Sequence, residues 1–268
     1  MTLTSGGGNL KEKEREYQAL ISDVRQYYSE QGKIHENESV YLTWCDDCKE
    51  INLWTYWQGR ESLDARIMLV GQDWGCPGGL PSVIQNIRKI NNGVRTDYHY
   101  DQNNPTDRNL VRLLQSIGYD ISDGTARNQE LFFTNFILGY RNKGLTGGFK
   151  QEWLQENKDF FFRLANIIAP DVIICLGRNA FQGVMMSFDR KMKMKSYNAF
   201  IISEENPVEI TLRSGKKVYV FAQAHCGALG TLNRNRLKDP DDKKDIELQM
   251  KDWTKIKKIL DGFCRPEL

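Results

Sequence analysis

Four polar side chains stand where an α/β chain most easily builds chemistry: Gln72, Asp73, Asn135 and His225. Each follows an apolar run. Ile67, Met68, Leu69 and Val70 precede Gly71-Gln72-Asp73-Trp74-Gly75, Leu131-Phe132-Phe133 precede Thr134-Asn135, and Val218 to Ala222 precede Ala224-His225-Cys226-Gly227-Ala228-Leu229. Such short continuous runs read as strands buried on both faces. Polar groups just past the carboxyl ends of those strands line the ligand crevice of an open parallel sheet. There a carboxylate can orient water and offset a developing cation, and a His can hydrogen-bond an oxygen that gains negative charge. An Asn offers one donor and one acceptor to the edge of a planar heterocycle. The set therefore points to chemistry on a ring such as a nucleobase. Plainer alternatives stand beside it: Asp73 as a turn or N-cap residue, Asn135 as the cap of the next turn, His225 as a structural His. The chain has only three His, and the position of His225 directly past a core strand favours function.

The elements that must hold these residues are legible in outline. Strands are expected at 67–70, 131–138, 172–176 and 218–222, with helical patterns at 82–90, 109–117, 152–168 and 180–187 between them. This alternation predicts an α/β chain with a four-stranded parallel sheet covered by helices on both faces, a three-layer α/β/α arrangement. Weaker β pieces stand at 200–202 and 209–212, and Ser214-Gly215-Lys216-Lys217 reads as a turn into the last core strand. Before the sheet, residues 9–31 carry a helical stripe of Leu10, Tyr17, Leu20, Ile21, Val24 and Tyr28, ended by Gly32. Residues 40–44 and 51–57 are β-rich pieces about Cys45-Asp46-Asp47-Cys48, expected as a hairpin or knuckle. A closing helix is expected over 241–260. Residues 1–65 thus read as an N-terminal appendage and 66–268 as the main domain. The stretch 74–107, rich in Gly, Asn, Pro and Tyr, is too long for a passive connection and is expected to form part of a site.

Gly71-Gln72-Asp73 matches the first motif of the uracil-DNA glycosylase superfamily, and Gly75 at the place of that motif's usual Tyr resembles its iron–sulfur-type branch. The likeness continues in order. Asn109-Leu110-Val111-Arg112-Leu113-Leu114 with Ile117-Gly118 resembles the helix after motif one, and Phe133-Thr134-Asn135 resembles the Thr-Asn strand end. Pro170 to Ala180, with Leu176-Gly177-Arg178-Asn179-Ala180, resembles the Leu-Gly-Arg-x-Ala segment. Residues 225–234 fall where the family carries its His motif and DNA-wedging loop. The resemblance covers about 66–260 and implies the superfamily's fold and a base-flipping enzyme that hydrolyses uracil or a related damaged base from DNA. It implies Asp73 and His225 as catalytic groups, and Gln72, Trp74, Gly75 and Asn135 about the base. Leu229 or Leu232 would wedge the gap, and Arg234 or Arg236 would contact phosphate. Trp74, Tyr98 and Tyr100 are candidates to stack on the flipped base. A non-catalytic nucleic-acid- or nucleotide-binding module on the same fold is the alternative.

Cys45-x-x-Cys48 is half of a metal site; a redox pair is a rival reading, disfavoured because no helix clearly follows Cys45. The iron–sulfur-type branch carries a second pair shortly after the Asn strand, and residues 139–170 contain no Cys, so neither an iron–sulfur cluster nor any other metal or cofactor is expected. Cys76 and Cys226 adjoin site motifs, Cys175 lies in a strand, and reduced thiols are the default for so sparse a set. Charge is uneven: residues 177–238 hold 11 Lys/Arg against 4 Asp/Glu, and residues 1–65 hold 7 against 12. The basic half, with Arg190, Lys191, Lys193 and Lys195, suits a phosphate backbone, although a solvated charge run is the plainer alternative. DNA is the partner expected, with no membrane, a monomeric state and a cytoplasmic location, since no apolar run is long enough to span a bilayer.

Overall fold

The computed structural model describes residues 6–51, 63–75, 102–122, 130–142, 148–236 and 246–263. The expected helix at 82–90 lies outside these, as do residues 52–57, Cys76, Tyr98 and Tyr100. In chain order the elements are α1 (Gly6–Ile34), β1 (Leu42–Thr43), β2 (Ile67–Gly71), α2 (Pro105–Ser116), β3 (Leu131–Asn135) and β4 (Tyr140–Arg141). They continue with α3 (Glu152–Ile168), β5 (Val172–Leu176), α4 (Arg178–Ser187), α5 (Tyr197–Ile202), β6 (Val208–Thr211), β7 (Lys217–Gln223), α6 (Ala228–Asn235) and α7 (Glu247–Phe263).

The chain is α/β, with a five-stranded sheet in the order β3-β2-β5-β7-β6. The four expected strands are parallel to one another, and β6 adds a fifth, antiparallel edge. A sequence of four weak alternating residues, Val208 to Thr211, becomes a strand because β7 offers it a full ladder. Each parallel strand sorts its side chains by parity. Met68, Val70, Phe132, Ile173, Cys175, Val218, Val220 and Ala222 enter one apolar layer. Ile67, Leu69, Leu131, Phe133, Val172, Ile174, Leu176 and Phe221 enter the other. Burial on both faces explains why these strands read as unbroken apolar runs.

The first layer lies under α1, α3 and α4, and the second under α2 and α7. Tyr17, Leu20, Ile21, Val24 and Tyr28 of α1 are buried in the sheet's own core, so the N-terminal helix is packed as one of its covering elements. Leu10 remains exposed. Helix α2 starts on Asn104, whose side chain accepts from the Thr106 N–H at 3.0 Å, with Pro105 supplying a preset first turn.

Two local expectations change. The 200–202 piece is the end of α5, because Ser196 caps that helix and Tyr197 and Phe200 anchor it on the core. Residues 42–43 pair antiparallel with β4, and the second arm of the expected hairpin, 52–57, lies outside the described residues. Cys45 and Cys48 are joined by a disulfide, their Cα atoms 5.3 Å apart and within bridging reach, so this pair departs from the reduced-thiol default.

At the amino edge of the sheet, Asp171 ties β2 to β5 and β7. It accepts from Arg66 Nε at 2.8 Å and pairs with Lys216 Nζ at 2.7 Å. Burial pushes this carboxyl up, but its hydrogen bonds to Lys216 and Arg66 and their charges outweigh that and hold its pKa below 3.8. A depressed folded-state pKa adds stability that is complete above the unfolded value and is lost as pH falls through the folded one. Asp171→Asn is expected to cost about 1 kcal/mol at pH 7 and to remove that part of the acid sensitivity below pH 4. Parallel urea melts of both proteins at pH 7 and pH 3 check it; equal losses at both pH values would refute it.

Candidate functional site

Strand register brings the site residues to one edge. Val70 and Gly71 stand opposite Thr134 and Asn135, Val70 opposite Cys175, and Leu176 opposite Gln223. The segments 72–74, 135–137, 177–179 and 224–227 therefore leave the sheet on the same side. Helix α2, after β2, covers one face, while α4, after β5, covers the other. Connections that part to opposite faces beside adjacent strands create a crevice at the strands' carboxyl ends.

Gln72 and Asn179 bridge that crevice. The Asn179 amide donates to Gln72 Oε1 at 2.7 Å, and Gln72 Nε2 donates to Asp73 Oδ2 at 3.0 Å. Gln72 is thereby fixed in orientation. Gly177, at φ 101°, turns the chain from β5 into α4 and leaves that helix's first amides without a side-chain cap. A Cβ on Gly71 would lie 2.0 Å from Asn135 Oδ1, so only Gly lets the Asn135 amide lie across β2.

Asp73 is neither a free carboxylate nor an N-cap. Its Oδ2 accepts from Arg141 Nη2 at 2.6 Å and from Arg141 Nε at 3.2 Å, and both side chains are about 95% buried. Arg141 also lies over the Trp153 ring, 5.4 Å from its centroid. Three donors converge on Oδ2, and Oδ1 accepts no hydrogen bond from a described residue. That oxygen is the part of Asp73 left for water or ligand. Trp74 packs rather than opens into the crevice: it is 7% exposed and stacked on Tyr140 with ring centroids 6.2 Å apart.

Asn135 is buried and its amide makes no hydrogen bond with a described residue, so it does not cap the following turn. Thr134 does the local work instead, donating to the Ile51 carbonyl at 2.8 Å.

His225 stands at the rim, where it reaches solvent. Its Nδ1 accepts from the Gly227 N–H at 2.9 Å. In the neutral ring the proton must then be on Nε2, which becomes a donor. Burial among the surrounding atoms disfavours the imidazolium and holds the pKa below 6.5, with the Asp73 charge acting in the opposite direction. The neutral ring is thus favoured more than in a free imidazole. NMR titration of the imidazole is expected to give a midpoint below 6.5, and Asp73→Asn should lower it further by removing a charge that favours the cation. A midpoint that rises in that variant would overturn this account.

The loop carrying His225 rests on a buried polar network. Asn109 Nδ2 donates to the Cys226 carbonyl at 2.8 Å, and Gln249 Nε2 donates to the carbonyls of Ala224 and His225 at 3.3 and 3.1 Å. Thr231 Oγ1 donates to Gln249 Oε1 at 2.8 Å. Backbone groups that cannot join a ladder are satisfied by α2, α6 and α7 at once, which fixes the loop.

Of the residues expected to meet DNA, Leu229 in the first turn of α6 is 76% exposed, and Arg236 at the far end of that helix is exposed. Leu232 is half-buried. Arg234 is a correction. Its Nε and Nη2 donate to Asp252 Oδ2 and Oδ1 at 2.6 and 2.8 Å within the α6–α7 packing, so it is not available to a phosphate.

Sequence reasoning missed Arg141, Asn179 and Gln249 as supports. Asn179 obeyed the same strand-end rule as the others, and Gln249 was visible as one polar residue in the stripe Ile246, Trp253, Ile256, Leu260. Arg141 carried no such signal. No group of three or more His, Cys, Asp or Glu among the described residues could hold a metal ion, and none of their helices is long and apolar enough to cross a membrane.

The fold and the crevice define an α/β protein with a polar site at the carboxyl edge of a parallel sheet. Comparison with protein-family models finds no match, and neither does comparison with curated proteins.

Proposed function

We propose that the chain is a DNA glycosylase of the uracil-DNA glycosylase type, hydrolysing the bond between deoxyribose and uracil or a related damaged base after the nucleotide is flipped out. The observation that carries this reading is the convergence of Asp73, Asn135 and His225 on one crevice, with Nδ1 of the His engaged by the Gly227 N–H. In the reaction the glycosidic electron pair leaves with the base and water adds to C1′, its proton balancing the base anion. His225 Nε2–H donates to the base oxygen that gains charge, and Asp73 Oδ1 orients the water. Asn135 presents a donor and an acceptor to the uracil edge. No resident metal or cofactor takes part in these steps.

Contact with DNA is supported by a run of exposed cations. Arg190, Lys191, Lys193 and Lys195 are exposed and make no ion pair with a described residue, while Met192 and Met194 between them pack on the core. The alternation turns the cations outward, a form suited to a phosphate backbone. Leu229 is the exposed apolar side chain suited to fill the vacated stack.

One observation favours the second reading, a binding module without catalysis. The Arg141 guanidinium offsets the charge that a cationic sugar would need from Asp73. Full-length protein incubated with single- and double-stranded oligonucleotides carrying uracil, hypoxanthine or a mismatch, then treated with alkali, separates the two. Strand cleavage at the modified base supports the enzyme; tight binding without cleavage supports the module.

Replacement of Asn135 tests base reading. Asn135→Asp offers acceptors only and repels uracil O4, so uracil excision should fall about 10- to 100-fold. A carboxylate at this buried position also costs stability, so Asn135→Ala is the control. It should lose a similar factor with little change in Tm, because the amide caps nothing. Unchanged uracil excision in both variants would rule out Asn135 as the base reader.

A further inference from the structure

The Cys45–Cys48 disulfide lies outside the crevice, yet its flanks reach the two strands that feed it. Thr134 Oγ1 donates to the Ile51 carbonyl at 2.8 Å, and the Tyr140 hydroxyl donates to the Glu50 carbonyl at 2.6 Å. Trp44 meets the same Tyr140 ring edge-on, and Trp74 stacks on it. Thr134 and Tyr140 each precede a site residue by one position: Asn135 and Arg141, the partner of Asp73. Beneath the loop, Glu50 is buried and accepts from the Tyr17 hydroxyl and from the Ile51 N–H.

The two sulfurs are not equivalent. Cys48 is fully buried, whereas Cys45 is only partly so. The Cys48 N–H also points at Cys45 Sγ, 3.2 Å away, where it would stabilise a thiolate once the bridge opens. By contrast, Cys175 and Cys226 are buried thiols whose pKa burial pushes up, that of Cys226 to about 12, so neither competes as a thiolate.

We propose that Cys45–Cys48 is a dithiol–disulfide exchange site, attacked at Cys45, whose redox state sets the grip of residues 44–51 on Thr134 and Tyr140. The co-reactant is a dithiol. One of its thiolates bonds to Cys45 Sγ as the Cys45–Cys48 bond breaks, and Cys48 leaves with the electron pair and takes up a proton. The second thiol then displaces Cys45, leaving a protein dithiol and an oxidised reductant. The closed bridge holds the loop against β3 and β4; the open dithiol loosens it.

The test uses the full-length chain equilibrated across ratios of reduced to oxidised dithiothreitol, quenched in acid, alkylated and read by peptide mass spectrometry. Cys45 and Cys48 should convert together in one two-electron transition. In a second measurement, Cys48→Ser should let Cys45 capture a small aromatic disulfide at least about tenfold faster than Cys48 does in Cys45→Ser. Backbone hydrogen exchange of residues 131–142 should be faster in the reduced protein than in the oxidised one. Equal exchange in the two states would sink the grip on the strands. A pair that stays closed in excess dithiol would sink the exchange site. So would purified protein carrying one zinc or iron per chain that shields both thiols until chelation. Because none of these measurements reads base excision, failure here and failure of the glycosylase reading are distinguishable.

Discussion

Asp73→Asn and His225→Ala are each expected to slow single-turnover excision of uracil about 10²- to 10³-fold while leaving DNA affinity nearly unchanged. Both groups act on charge that develops in the transition state, so their loss should appear in the chemical step more than in binding. Their effects on stability should differ. Asn in place of Asp73 takes one buried, hydrogen-bonded counter-charge from the Arg141 guanidinium, at a cost of about 2–4 kcal/mol. His225 stands at the rim, and its main fixed contact is the Gly227 N–H, so His225→Ala should melt near the parent temperature. Rates must accordingly be compared below both melting transitions, with fluorescence anisotropy reporting affinity. Full excision by both variants would remove the mechanism, and a rate loss matched by an equal affinity loss would assign these residues to binding alone.

Asp252→Ala is expected to be the more damaging change to the fold. It strips the partner from Arg234 within the α6–α7 packing, where the two side chains are 6% and 8% exposed. Removing one member of a buried, doubly hydrogen-bonded pair costs about 3–5 kcal/mol, because the remaining charge is left unpaired in the interior. For a chain of this size that is a fall in Tm of about 10 °C. Replacing both partners by apolar residues, Arg234→Met with Asp252→Leu, should recover most of the loss. If Arg234 served a phosphate instead, Arg234→Met would weaken DNA binding and reduce its salt dependence without moving Tm. Thermal unfolding of the single and double variants, with binding measured at two salt concentrations, decides between them.

These contrasts mark where local pattern stops informing. The four parallel strands were readable because burial on both faces forces unbroken apolar runs, and α3 was readable to the residue because Pro170 and the apolar spacing bound it. Gln72, Asp73, Asn135 and His225 were readable as a group because a parallel sheet delivers all its carboxyl ends to one edge. Contacts across the chain were not. Nothing near Arg141 pointed to Asp73, 68 positions away, and the basic character of Arg234 suited phosphate equally well until α7 brought Asp252 to it. Of the two weak β pieces, 209–212 settled as the edge strand Val208–Thr211 and 200–202 as the end of a helix, through the partners each met. Side-chain type and period express what a residue needs, which is burial, a charge partner or a hydrogen bond. Which residue meets that need depends on chain crossings that bring distant segments together, and these are decided only when the sheet and its covering helices pack.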